Sequence, residues 1–225
     1  MTINVVKIGG SLSKKPKALQ ILCQKLCSLS SEHQIVVIPG GGKFADIVRE
    51  ANKQFTLSAS TTHHMAILGM EQYGLLLADL MKPNNQIIDS IEEIEKVNTE
   101  LITVFLPSKF ITLEKEEELP KSWEVTSDSI AAYIAKRLEA TKLLLIKDVD
   151  GVFTDDPKKN MQAKLFEHLT SEKLVEMQNK TCVDTYFPKL FKQLKINCHI
   201  INGFYPDRVE AVLNKQKTLN TTISP

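Results

Sequence analysis

The chain has 225 residues, 28 of them Lys or Arg and 27 Asp or Glu, for a formal net charge of +1; 43% of its residues are hydrophobic. These proportions describe a soluble globular chain with one large core or two modest ones, and they exclude disorder as its main theme. Acidic and basic residues are mixed along the sequence, so there is no electrostatic footprint for nucleic acid or an anionic membrane, and any phosphate recognition must be local.

No apolar run reaches the roughly 18 residues that span a bilayer. Met1 leads into a strand pattern rather than a basic-then-apolar leader, and a cytoplasmic location is expected. Cys23, Cys27, Cys182 and Cys198 lack the paired spacing of a structural zinc site and are read as reduced thiols, with no metal site expected. Cys23 and Cys27, four apart on a helical pattern, share a face on which a metal could sit, but no third ligand is apparent nearby.

Asn4 to Ile8 is a β-branched run that ends at Gly9, Gly10 and Ser11, and a helical pattern follows from Pro16 to Leu29. Lys7 is a cation inside that apolar strand. It must either snorkel to solvent or meet an anion, and its place beside a glycine turn favours a phosphate.

The second unit, IVVIPGGGKFAD from Ile35 to Asp46, joins an apolar run to a helix through Gly40, Gly41 and Gly42. Consecutive glycines expose backbone N–H groups and permit positive φ, while the helix that follows offers its positive dipole end, so the stretch suits an anion. It is not a Walker A loop: Gly42-Lys43 is followed by Phe44, and Val37 occupies the place of the first glycine. Gly40, Gly42 and Ala45 fit a dinucleotide fingerprint, but Leu57 to His64 lacks the acidic residue such a fold requires.

Thr61 to Met81 reads as one long helix, apolar on nearly every side, and such a helix is buried within the domain or at an interface between copies. His63 and His64 at its start are either exposed cap-region residues or contacts for an anionic substrate. Gln86 to Ile88 reads as a strand, Ile91 to Val97 as a short helix, and Leu101 to Leu106 as a strand that Phe110 to Leu113 continues. The acidic run Glu114 to Glu118 reads as a solvated loop or helix end.

Ser122 to Ser129 leads into a helix over Ile130 to Leu138, with Thr126 or Ser127 as cap. Asp128 in its first turn complements the dipole or orients lysines of a site. Leu143 to Ile146 is a buried strand, and the turn-rich Lys147 to Pro157 follows its carboxyl end, where ligands gather in open α/β sheets. Helices over Thr170 to Gln178, from Pro188 to Leu194 and over Pro206 to Leu213, with a last strand Cys198 to Ile201, complete the alternation. The expected fold is a single α/β domain over 1–225, a three-layer αβα sandwich around a mainly parallel sheet.

Three segments together resemble the amino acid kinase superfamily: VVKIGGS (Val5 to Ser11), VVIPGGGKFAD (Val36 to Asp46), and VTSDSIAAYIA with LLLIKDVDGVFTDDP (within Val125 to Pro157). The resemblance implies a carbamate kinase-like fold and an ATP-dependent kinase of carboxylates, carbamate or phosphate monoesters, requiring magnesium. It implies that Lys7 bridges the transferred group, that Asp128 holds the lysine environment, and that Gly9, Gly10, Gly41 and Gly42 supply backbone donors. Lys147, Asp148, Gly151, Phe153, Asp156 and Pro157 are expected around the nucleotide. Gly40, Gly41, Gly42, His63, His64, Thr126 and Ser127 are expected around the acceptor.

Carboxylate kinases of this group carry a late G-M-x-x-K motif, where this chain has CVDTYFPK (Cys182 to Lys189); whether Lys189 takes the role of that lysine is left open. The departure points to a phosphate monoester as acceptor. Within that set His63 to Leu80 and Ser122 to Ala135 resemble the kinases of methanofuran biosynthesis, which act on an aminomethylfuran methyl phosphate, with uridylate or isopentenyl phosphate kinases as the alternative. A non-catalytic nucleotide- or oxyanion-binding relative is the second alternative. The part up to about residue 120 would bind the acceptor and the remainder the nucleotide, in a homo-oligomer with no nucleic-acid or membrane partner.

Overall fold

The computed structural model describes residues 2–113, 118–157, 159–177 and 181–225. Four strands form the first half of one sheet: β1 (Ile3–Ile8), β2 (Gln34–Pro39), β3 (Asn85–Ile88) and β4 (Ile102–Phe105). The second half holds β5 (Lys142–Lys147), β6 (His168–Thr170), β7 (Asn197–Asn202) and β8 (Thr221–Ser224). Their order is β3-β4-β2-β1-β5-β7-β8-β6, parallel throughout except for the antiparallel β7–β8 pair. The chain leaves β1 for β2 on one side, completes that half, and returns to β5 on the other side of β1. The crevice beyond the carboxyl ends of β1 and β5 is therefore the point where the strand order reverses, the usual ligand position of such sheets.

Helices α1 (Pro16–Leu29), α2 (Gly42–Phe55) and α3 (Ala59–Leu80) belong to the first half, followed by α4 (Pro107–Leu113) and α5 (Ser127–Arg137). Helices α6 (Ser171–Met177), α7 (Phe187–Phe191) and α8 (Asp207–Leu213) complete the set. Helix α1 begins at a proline, whose fixed φ suits a first turn, and buries Leu19, Leu22, Cys23, Leu26 and Leu29 at helical spacing.

Strand residues alternate between two cores. Val5, Val36, Leu143 and Leu145 pack with α5 and α7 on one face, while Val6, Ile35, Leu144 and Ile146 pack with α1 and α8 on the other. The long α3 serves both, giving Ile67 and Met70 to the first and Tyr73, Leu77 and Ala78 to the second. The three-layer αβα reading stands. No helix among the described residues is long and apolar enough to cross a membrane, and all four cysteines are free thiols.

Several expectations need correction. Phe110 to Leu113 does not continue a strand; it lies in α4, because Pro107 cannot donate to a ladder yet fits a first helical turn. Cys198 to Ile201 is not in the last strand, since Thr221–Ser224 follows and pairs with both β7 and β6. That strand and His168–Thr170 are too short and polar for periodicity to reveal. Helix α7 stops at Phe191 rather than Leu194. Helix α6 spans most of the expected Thr170 to Gln178, with Gln178 outside the described residues, as is the acidic run except for Glu118.

Candidate active site

Lys7 and Lys147 occupy equivalent faces of neighbouring parallel strands. In the β1–β5 register Lys7 lies opposite Leu145, so Lys147, two residues further, points to the same side. That side is covered by α5, whose first turn carries Asp128. Asp128 Oδ2 accepts a 2.7 Å hydrogen bond from Lys147 Nζ, and Oδ1 lies 2.9 Å from Lys7 Nζ in an ion pair without a well-directed hydrogen bond. All three side chains are buried.

Burial by itself would raise the Asp128 carboxyl, but Lys147 and Lys7 outweigh it and hold the group well below the ordinary carboxylate range. Burial pulls Lys7 down, and the attraction of Asp128 does not fully restore it. Lys147 is likewise pulled down by burial, yet it ends above its ordinary value because Asp128, with Asp184 beyond it, favours its charged form. Two buried cations share the one Asp128 carboxylate at the floor of the cleft, with the charge of Asp184 acting on both from further away.

The glycine turns meet above this floor. A Cβ on Gly10 would fall 2.0 Å from Gly42 N, so the two backbones touch only because neither residue has a side chain there. Gly42 has φ +55°, a conformation suited to glycine. Gly10 and Gly42 open the helical segments Gly10–Lys14 and α2, where the first N–H groups lack an intrahelical acceptor. Gly9 differs from the expectation of a ligand donor: its N–H bonds Ile146 O at 2.8 Å, and that of Gly40 bonds Ile8 O at 2.8 Å.

Thr126 holds the cap position of α5, but its hydroxyl makes no cap bond. The cap comes from Asp184, 55 residues beyond Ser129: Asp184 Oδ2 accepts from Thr126 N (3.0 Å), Thr126 Oγ1 (2.8 Å) and Ser129 N (3.0 Å). Its Oδ1 accepts from Ser129 Oγ and from Phe187 N. This one carboxylate ties the late loop to the turn that presents Asp128.

A cleft of about 370 Å³ opens above the lysines. Among its lining residues are Lys7, Gly9, Gly10, Gly41, Gly42, His63, Thr126, Ser127, Asp128, Lys147 and Asp148, which the sequence singled out. Gly40, His64, Gly151, Phe153, Asp156 and Pro157 do not line it. His64 is exposed, one helical position round from His63. Gly151 packs against Thr221, Phe153 bridges to Leu165, and Asp156 starts a turn in which its carbonyl accepts from Lys159 N and Asn160 N. Lys189 is exposed, with its ammonium 5.5 Å from the Tyr186 ring centre, and it is Lys147 that stands beside Lys7 as the second buried lysine.

Arg49, Trp123, Cys182 and Asp184 escaped the sequence reading. The Arg49 guanidinium lies 5.3 Å from the Trp123 ring centre and 2.6 Å from Asp46, and all three residues line the cleft. The three-residue spacing of Asp46 and Arg49 on a helix was a usable signal. For Asp184 there was none, because its partners are remote in sequence. Ala66, Ile67, Met70, Val125 and Ile130 give the cleft an apolar wall.

Residues 2–202 match the sequence profile of the amino acid kinase family. Over 98% of its length the chain is 35% identical to [5-(aminomethyl)furan-3-yl]methyl phosphate kinase of Methanocaldococcus jannaschii, covering 97% of that protein. It is 30% identical to uridylate kinase of Pyrococcus abyssi, covering 98% of this chain and 99% of the relative. The crystal structure of uridylate kinase from Archaeoglobus fulgidus superposes with a TM-score of 0.77 at 21% identity, covering 100% of both chains. At that identity the likeness speaks for the fold. Sequence profile, near full-length relatives and fold agree: the chain belongs to the amino acid kinase family.

Proposed function

We propose that this chain is an ATP-dependent kinase that phosphorylates the phosphate of a small monoester, with [5-(aminomethyl)furan-3-yl]methyl phosphate as the acceptor. The observation that carries the reading is the pair of buried cations, Lys7 and Lys147, that share Asp128 directly below two glycine turns. Phosphoryl transfer needs alignment of two anionic groups and neutralisation of the charge between them more than a covalent catalyst. An oxygen of the acceptor phosphate attacks the γ-phosphorus of ATP, the bond to the β-phosphate oxygen breaks, and ADP leaves. The acceptor is already an anion, so no general base is required.

In this reading Lys7 and Lys147 lie against the oxygens of the transferred group, and the N–H groups of Gly10, Gly41 and Gly42 orient them. Both Asp128 oxygens are engaged by lysines, and the described residues hold no cluster of three metal-binding side chains. Asp148, one of the carboxylates lining the cleft, would help to hold magnesium brought in with the phosphates, and the ion would neutralise phosphate charge. Lys147 and Asp148 begin the nucleotide side, and Gly151, Phe153, Asp156 and Pro157 would form its outer rim. Residues up to about 120, joined by the stretch from Trp123 to Ile130, would supply the acceptor side.

The apolar wall and Trp123 support a small ring in the acceptor. The identity to the M. jannaschii kinase supports the furan in particular; the P. abyssi relative supports UMP as the second reading. A panel of phosphate monoesters with ATP and magnesium, read by mass for diphosphate products, tests both. The furan phosphate is expected to turn over best. Preferred turnover of UMP would replace the acceptor, and ATP binding without any product would replace catalysis with a binding role. Leu68, Leu75 and Leu76 of α3 remain exposed and support self-association through that helix; light scattering after size exclusion would read a dimer or larger.

A further inference from the structure

His63 lies near the start of α3, only 6% exposed, and its ring lines the cleft beside the apolar wall. Its Nδ1 is 3.2 Å from Ser122 O. A carbonyl oxygen can only accept, so Nδ1 carries the proton and, in the neutral ring, Nε2 is a bare acceptor. Burial, with Lys121 and His64 adding to it, lowers the pKa of the ring and so favours its neutral form against the opposing Ser122 bond. Nε2 is buried and has no partner among the described residues, an arrangement that costs free energy until a donor arrives. Neighbouring His64 is exposed and has no such constraint.

We propose that His63 is the specificity-determining residue of the acceptor side, taking through Nε2 a hydrogen bond from an N–H donor at the end of the acceptor remote from its phosphate. This rests on the kinase reading and gives the cleft two unlike ends: lysines and glycine N–H groups for phosphates, and one fixed acceptor for a nitrogen. On the furan acceptor the donor is the ammonium of the aminomethyl group; on UMP it is the imide N–H of the base.

The test compares the furan phosphate with an analogue bearing methyl in place of aminomethyl, using wild type, His63→Leu and His63→Gln. Loss of one such bond raises KM for the amine-bearing acceptor about tenfold relative to the methyl analogue in His63→Leu. His63→Gln, which keeps an acceptor oxygen, recovers part of the loss, and KM for ATP stays unchanged. Equal changes for both acceptors overturn the proposal. If wild type accepts UMP and neither furan compound, the acceptor assignment fails on its own; a rise in KM for UMP in His63→Leu then sustains the role of His63, and an unchanged value overturns it. Should His63→Leu not fold, imidazole ¹⁵N resonances of the wild type decide. A neutral ring protonated on Nδ1, with an Nε2 signal that moves on adding the amine-bearing acceptor and not the analogue, sustains the proposal, and a doubly protonated ring at neutral pH overturns it.

Discussion

Two carboxylates sit at the start of α5 and do opposite things. Asp128 faces the cleft and holds two ammonium groups, whereas Asp184 reaches the same turn from the late loop and, among the described residues, accepts from backbone N–H groups and hydroxyls. The donors to Asp184 are neutral and its task is to fix where the turn lies, while its charge adds to that of Asp128 in favouring the charged lysines. Asp128 is short by one charge, since two lysines share it. A carboxylate whose oxygens are taken up by backbone N–H groups and hydroxyls is architecture; a buried site in which two ammonium groups share one carboxylate is suited to an anion.

The sharpest way to break this contrast is Asp128→Ala, which strands two buried ammonium groups and is expected to cost about 3–5 kcal/mol in urea unfolding. A loss no larger than for an exposed aspartate would show that the lysines reach solvent. Next is Lys7→Met, which leaves a balanced Asp128–Lys147 pair. Turnover should fall at least about a hundredfold, the scale of one preorganised donor, while the melting temperature holds or rises. Near-normal turnover in that variant would remove Lys7 from the reaction.

Asp184→Asn keeps one acceptor oxygen but turns an amide NH₂ toward donors that already need an acceptor, at a cost of about 1–3 kcal/mol. If Asp184 only positions the turn, kcat should drop less than in Lys7→Met, and the loss should appear in stability as well. The smallest effect is in pH. The folded Asp128 carboxyl lies below its ordinary 3.8, so its contribution is present in full above that value and is lost as pH falls through the folded one. Stability of Asp128→Asn should therefore decline less steeply than wild type below about pH 4, and parallel acid limbs would contradict the buried pairing.

Much of the fold was legible because its elements announce themselves locally. β-Branched runs ending in glycine, prolines at helix starts and the long apolar α3 each carry their own signal. The elements that were missed, β6, β8 and the helical α4, lack that: three- and four-residue polar strands form only because β7 offers an edge, and Pro107 redirects a sequence that otherwise alternates like a strand. Lys7 stood out as a cation in an apolar strand, and the glycines as an anion turn. That Gly9 and Gly40 spend their N–H groups on neighbouring strands could not be read, since it depends on register.

By itself the sequence determined the period of each strand and helix and therefore which face of β1 carries Lys7, because side-chain alternation is a local property of the backbone. Only the tertiary structure decided that Lys147 would be its neighbour, that Asp128 would be shared between them, and that Asp184 would cap α5 from 55 residues away. Those pairings join segments whose separation in sequence carries no information about distance. They are settled by which strands lie side by side in the sheet.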